Sequence, residues 1–382
     1  MRAHSRRGFL SRVLGPVWAG ATVMEQAVFR AAHARAQAPA APANLFDLER
    51  MADGVYAATA RPAGLINCNA AIFENSADVL VVDSHSKGSA AAALAAQIRK
   101  EITPKPVRYV VNSHFHWDHL QGTQAYRQLN PNLQVIASSV TRELIAEQAA
   151  ARLKASLEEL PKTLEGYKER LAKAVSAKEK AYWERMIAET RAYLAEMRTW
   201  TPELPNVTFS HHLVIHDRAH QLHLAFRGRG HTAGDIVVWC PEKKVLAAGD
   251  LLHGFLPYIG DGYPQEWPAT LKSCADFDFQ AVIGGHGPPQ RGRERLAQMA
   301  AYLSELAEAV EQGKRAGRTV GQLQAAITPA TLKSLASGGY GRYVANNLVA
   351  YYMEVGPVTP EEALVNGVRE NVASTFQVLG RT

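Results

Sequence analysis

The segment Asn112-Ser113-His114-Phe115-His116-Trp117-Asp118-His119 constrains the chain more than any other. It follows the apolar run Val107 to Val111, which reads as a buried strand. Residues two apart on an extended chain point the same way, so His114 and His116 can share one metal ion. A turn then carries Asp118 and His119 towards a second. Imidazole and carboxylate together suit zinc, and three protein ligands with an open coordination position are the pattern of a catalytic site. The fold must therefore end a buried strand at a place where other ligands converge.

The rest of the chain supplies such strands. Val55 to Ala57, Ala70 to Phe73, Val79 to Val82, Leu133 to Ala137, Val207 to Phe209, Leu222 to Phe226, Ile236 to Trp239, Val245 to Ala248 and Ala281 to Ile283 all read as strands. Helical patterns cover residues 88–101, 269–278 and most of the chain from about 293 onward. This alternation is an α/β signal. Residues 141–200 break it, with dense charge of both signs and apolar residues at helical spacing: Leu153, Leu157, Leu160, Leu164, Leu171, then Met186, Ile187, Tyr193, Leu194 and Met197. They predict two or three amphipathic helices, broken near Pro161 and ended by Pro202 and Pro205. Such an insertion either packs on itself or on a second copy of the chain, making a homo-oligomer, or forms a lid over the site.

The segment from His114 to His119 resembles the HxHxDH signature of the metallo-β-lactamase superfamily. The resemblance covers about residues 45–139 and 206–292, and it implies an αβ/βα four-layer sandwich with a helical insertion and a helical C-terminal region. It also implies three further ligands. His231 in Gly230-His231-Thr232 would join His114 and His116 at the first metal. His286 in Gly285-His286-Gly287 would join Asp118 and His119 at the second. Asp250 in Gly249-Asp250-Leu251 would bridge the two, and Asp83 would support the ligands from behind. His253, three residues past Asp250, and Tyr258 are expected at the border of the substrate pocket. The remaining histidines, His85, His211, His212, His216, His220 and His223, read mostly as surface or strand residues.

The implied chemistry is zinc-dependent hydrolysis by a metal-activated hydroxide, with two Zn2+ ions and iron as the alternative metal. Asp118 would orient the hydroxide and carry a proton to the leaving group. An aspartate at position 250 is similar to the thioesterase, lactonase and general-hydrolase branches, whereas the true β-lactamase branches generally lack it. The expected substrate is a small carbonyl ester, thioester or lactone. The competing readings are a β-lactamase, a mononuclear-iron redox enzyme of the same fold, and a non-enzymatic exported protein that stores or delivers metal.

Composition sets the surroundings. The chain has 382 residues, 47% hydrophobic and 20% charged, which fits a globular protein with a real core. Ser5-Arg6-Arg7-Gly8-Phe9-Leu10, the apolar Val13 to Val23, and Ala34-Arg35-Ala36 before a Pro/Ala linker resemble a bacterial twin-arginine leader. The expected organisation is a signal peptide and the start of the linker over 1–38, the metallo-β-lactamase domain over 39–300 and a C-terminal helical region over 301–382. That leader implies the twin-arginine export machinery as a partner and a periplasmic or secreted location. Residues 1–36 carry six arginines against one glutamate, which accounts for most of the net +6, so the basic balance gives no support to a nucleic-acid partner. No run of 18 uncharged residues suggests a membrane span. The cysteines, Cys68, Cys240 and Cys274, have no metal-finger spacing, and Cys240 reads as a small buried hydrophobe.

Overall fold

Strands β1 (Phe46–Ala52), β2 (Val55–Ala60), β3 (Ala70–Glu74), β4 (Val79–Val82), β5 (Val107–Val111), β6 (Gln134–Ser138) and β7 (Val207–Phe209) form one sheet in chain order. Its first four strands pair antiparallel and β4 to β7 pair parallel. The second sheet contains β8 (His212–His216), β9 (Gln221–Phe226), β10 (Ile236–Cys240), β11 (Val245–His253), β12 (Ala281–His286) and β13 (Gln290–Arg291), in the order β13-β12-β11-β10-β9-β8. The pair β11–β12 is parallel. These elements come from a computed structural model that describes residues 45–60, 68–337, 339–352 and 359–380. The leader expected over residues 1–38 and most of the linker lie outside the described residues.

The two sheets bury one face against each other, with Phe73, Leu80, Val111 and Ile136 meeting Leu224, Val238, Ala247 and Ile283. Helices α1 (Gly88–Glu101) and α2 (Thr123–Leu129) cover the outside of the first sheet through Leu94, Ile98 and Tyr126. Outside the second sheet lie α5 (Trp267–Cys274) and α6 (Glu294–Arg315), through Trp267, Leu271, Tyr302 and Leu303. With both faces covered, β4, β11 and β12 are buried at every residue, which is why they read as continuous apolar runs. The result is the expected helix–sheet–sheet–helix sandwich.

The insertion begins with a short α-helix at Ser139–Leu144 and a π-helical turn at Ile145–Ala149, and continues as α3 (Ala150–Lys173) and α4 (Ala177–Met197). Pro161 does not break it. The helix runs through the proline, although the missing N–H and the ring clash cost about 3 kcal/mol. Apolar packing on both sides of Pro161 offsets that cost. On the near side Leu153, Leu157 and Leu160 join Tyr193, Met197, Trp200 and Trp117. On the far side Leu164 and Tyr167 join Tyr182, Trp183, Met186 and Ile187. The far half thus packs on itself and the near half packs on the His114–His119 segment. Phe115 and Leu120 are covered by Ile145 and Ala149. Tyr193 Oη donates to Gln121 Oε1 at 2.8 Å, and Trp200 Nε1 donates to the Gln121 carbonyl at 2.8 Å.

The C-terminal helices α7 (Tyr340–Tyr352) and α8 (Pro360–Val378) complete the outer layer beside the second sheet, through Tyr340, Val344, Val368 and Val372. Among the described residues no helix is long and apolar enough to cross a membrane. All three cysteines are buried free thiols.

Candidate metal centre

The seven residues read from the sequence as ligands converge at one edge of the sandwich, where β5, β11 and β12 end. Two groups form, each with its ligand atoms within 4.8 Å of one another: His114, His116, His231 and Asp250, then Asp118, His119 and His286. Asp250 also faces the second group. Its Oδ2 is 3.3 Å from His231 Nε2, 3.3 Å from His286 Nε2 and 3.9 Å from His114 Nε2, and its Oδ1 is 3.3 Å from His119 Nε2. Asp118 Oδ2 lies 3.3 Å from both His119 Nε2 and His286 Nε2.

Backbone geometry makes this convergence possible. Asp83 takes a left-handed turn at φ 67° directly after β4. Its carboxylate there accepts from the Ser113 N–H, the Ser113 hydroxyl and His119 Nδ1–H, each at 2.8 Å. Glycine is required at two neighbouring places. Gly249 has φ +50° and a side chain on it would press into Ser113, while one on Gly285 would collide with Asp250 Oδ1.

The outer contacts fix which nitrogen of each ring faces inward. His119 donates from Nδ1 to Asp83, and its buried Nε2 has no hydrogen-bond partner. Ser113 spends its own proton on Asp83, so it accepts from His114 Nδ1 at 3.0 Å, and His114 Nε2 is likewise unpartnered. His231 Nδ1 donates to the Tyr258 carbonyl at 3.1 Å, and His116 Nε2 donates to Asp261 Oδ2 at 2.9 Å. That leaves His116 Nδ1 and His231 Nε2 facing each other at 2.8 Å with a lone pair each. Two lone pairs hold that separation only with positive charge between them. The donor set and the orphaned buried nitrogens therefore fit a binuclear metal site.

Electrostatics point the same way. Burial pushes the Asp250 carboxyl up, but His286, His119, His253 and His231 outweigh it and hold it well below the ordinary carboxylate range. Burial also raises Asp118, and His119 and His286 outweigh it there. Burial drives His114 and His231 well below the usual histidine value, with neighbouring imidazoles adding to the effect. For His286 burial opposes protonation, yet Asp250 and Asp118 push it up to about 9. His119 is raised against the same burial by Asp250, Asp118 and Asp83. Where no cation is bound, protons on these two rings balance the carboxylates. A divalent cation would take over that role.

His253 and Tyr258 sit differently from each other. His253 is 3% exposed, 3.4 Å from Asp250 Oδ2, with its ring between those of His231 and His286, and neither of its nitrogens has a hydrogen-bond partner. Tyr258 is half-buried, and its ring centroid is 5.9 Å from that of His116. Two histidines read as surface or strand residues, His85 and His220, are buried. His85 Nδ1 lies 3.3 Å from Cys68 Sγ, and burial pushes the thiol up and the imidazole down to about 3, which leaves both neutral and inert. The sequence reading missed Asp261 and Arg152. The one available signal was an aspartate between two glycines in the loop that follows Asp250.

Sandwich and site together point to a known class of fold with a place for metal ions. The sequence profile of the metallo-beta-lactamase superfamily matches residues 63–286, more than half of the chain, and the chain belongs to that superfamily. The type 2 metallo-beta-lactamase of Bacillus cereus is 32% identical over 68 residues, 16% of this chain and 27% of that enzyme. Metallo-beta-lactamase IND-1 of Chryseobacterium indologenes is 36% identical over 67 residues, 16% of this chain and 28% of the enzyme. The chain thus spans about a quarter of the length of the curated relatives it matches. Among solved structures, the metallo-beta-lactamase from Pontibacter korlensis aligns with a TM-score of 0.48 and 18% identity, over 67% of this chain and 98% of that one. The enzyme from Hirschia baltica aligns with a TM-score of 0.46 and 20% identity, over 68% and 97%.

Proposed function

We propose that the protein is a zinc-dependent hydrolase that cleaves a small carbonyl ester, thioester or lactone. The observation that carries this reading is Asp250, whose two carboxylate oxygens reach imidazoles of both ligand groups. His114, His116 and His231 would hold the first cation, Asp118, His119 and His286 the second, and Asp250 would serve both. When bound, such cations lower the pKa of water towards neutrality and polarise a carbonyl oxygen. The chain's own groups do the rest. Asp118, kept ionised by His119 and His286, orients the attacking water and takes its proton at Oδ2. His253, buried with Nε2 3.4 Å from Asp250 Oδ2, holds that carboxylate in place between the two ligand groups. Trp117 and Tyr258, both half-buried, provide apolar surface beside the ligands. The sequence of residues 1–38 supports export through the twin-arginine route and a periplasmic address.

The short sequence likeness to β-lactamases favours a second substrate class, and the carboxylate at position 250 weighs against it. A side-by-side kinetic comparison separates the two. A thioester or a homoserine-type lactone is expected to turn over with kcat/KM of about 10⁴ M⁻¹s⁻¹ or more, and a penicillin and a carbapenem at least about 100-fold more slowly. Faster cleavage of either β-lactam would reject the proposed substrate class.

A further inference from the structure

We propose that Arg152, carried by helix α3 of the insertion, is a positioning residue for the first metal site, acting through Asp261 on His116. This rests on the reading of His116 as a ligand of that site. Arg152 Nη1 donates to Asp261 Oδ2 and Nη2 to Asp261 Oδ1, both at 2.8 Å. The fork fills both carboxylate oxygens in parallel, a geometry that a lysine ammonium does not reproduce. Asp261 Oδ2 in turn accepts from His116 Nε2 at 2.9 Å. The acceptor fixes the ring's orientation and commits its proton to Nε2, which leaves the Nδ1 lone pair aimed at His231.

The pair is held from every side. The Arg152 guanidinium lies over the Phe115 ring at 4.8 Å, and its Nε donates to Gln148 Oε1 at 3.1 Å. Asp261 is buried in a loop tied down by Gly262 N–H to the Ile259 carbonyl and Tyr263 N–H to the Gly230 carbonyl, both at 2.8 Å. The same loop offers the Tyr258 carbonyl to His231. One loop therefore supplies the outer acceptor for two rings of the first group, and the insertion supplies the cationic partner of its carboxylate, Arg152. In the second group His119 takes its outer acceptor from Asp83. Through Arg152 and Asp261 the insertion reaches a ring of the first group by direct hydrogen bonds. Partners of this kind typically change metal affinity by about 10–100-fold when removed.

The test measures zinc affinity of the full-length protein by competition with a chromophoric chelator, together with the visible absorption of the cobalt-substituted protein. Arg152→Met is expected to weaken one of the two zinc ions by about 10–100-fold and to alter the cobalt bands of that site, with the other ion little changed. Arg152→Lys keeps the charge and much of the packing, so it gives a smaller loss of the same ion and a folded protein even where Arg152→Met does not fold. Glu203→Gln is the control. It removes the charge from the 3.0 Å bond that Arg127 Nε donates at the end of the insertion, and is expected to lower the melting temperature slightly without moving either zinc affinity. Wild-type affinities and cobalt bands in Arg152→Lys, or an equal loss in Glu203→Gln, would overturn the proposal. A wild-type protein that binds no zinc would overturn the metal-centre reading itself, a separate and distinguishable failure.

Discussion

Replacing Asp250 with alanine is expected to strip metal from both sites and to reduce kcat by at least about 1000-fold, the equivalent of several kcal/mol of barrier. The carboxylate is 3% exposed and faces His114, His119, His231 and His286 at 3.3 to 3.9 Å. Its removal takes away a carboxylate that faces both groups and would serve a cation in each. Among the described residues no other carboxylate approaches rings of both groups. The loss should fall mainly on kcat and less on KM, because the missing interaction belongs to the reacting centre and not to substrate binding. Asp250→Asn keeps the shape and removes the charge, so an intermediate result would apportion the effect between the two. Elemental analysis and steady-state kinetics on the same preparations measure it. Two retained metals in Asp250→Ala would contradict the bridging role.

Deletion of residues 141–200 is expected to damage the metal centre and the fold together. A mobile lid can be removed with metal content and stability intact. Here the deleted segment covers Phe115, Trp117 and Leu120, which flank the ligands His114, His116 and His119. Exposing these side chains costs about 1.5–3 kcal/mol for each one fully uncovered. Asp261 would lose Arg152 beside His116, and because the pair is only part-buried this adds less than the ~3–5 kcal/mol of breaking a fully buried one. Together these approach the whole stability of an ordinary domain, about 5–15 kcal/mol. The deleted protein is expected to melt far below the wild type and to carry less metal, read by thermal unfolding and elemental analysis. A deletion variant with wild-type melting and metal content would show the insertion to be an independent cover.

The contrast between these two predictions marks what the sequence can carry. The strands and the convergence of the candidate ligands were legible because each candidate sits close to a run whose apolar pattern is unambiguous, as His114 follows Val107 to Val111 and His286 ends Ala281 to His286. The continuation of α3 through Pro161 was not legible. Local propensity predicts a break there, and only the packing of Leu153 to Leu160 on one side and Leu164 and Tyr167 on the other overrides it. Asp261 and Arg152 were invisible for another reason. Their partners are 109 and 145 residues away in the chain, and a loop aspartate or a helix arginine has no periodicity that reports a distant contact. His85 was misread because it sits in a left-handed turn at φ 68°, outside any strand or helix whose periodicity could report its burial.

The most direct test of the binuclear hydrolase is the metal content of the purified protein, measured by elemental analysis alongside thioester and lactone turnover before and after chelation. Close to two zinc ions per chain are expected, with turnover abolished by chelation and restored by zinc, and with His114→Ala, His231→Ala and His286→Ala each carrying less metal than the wild type. Metal content that is the same in all three variants, or turnover that survives complete removal of metal, would contradict the account.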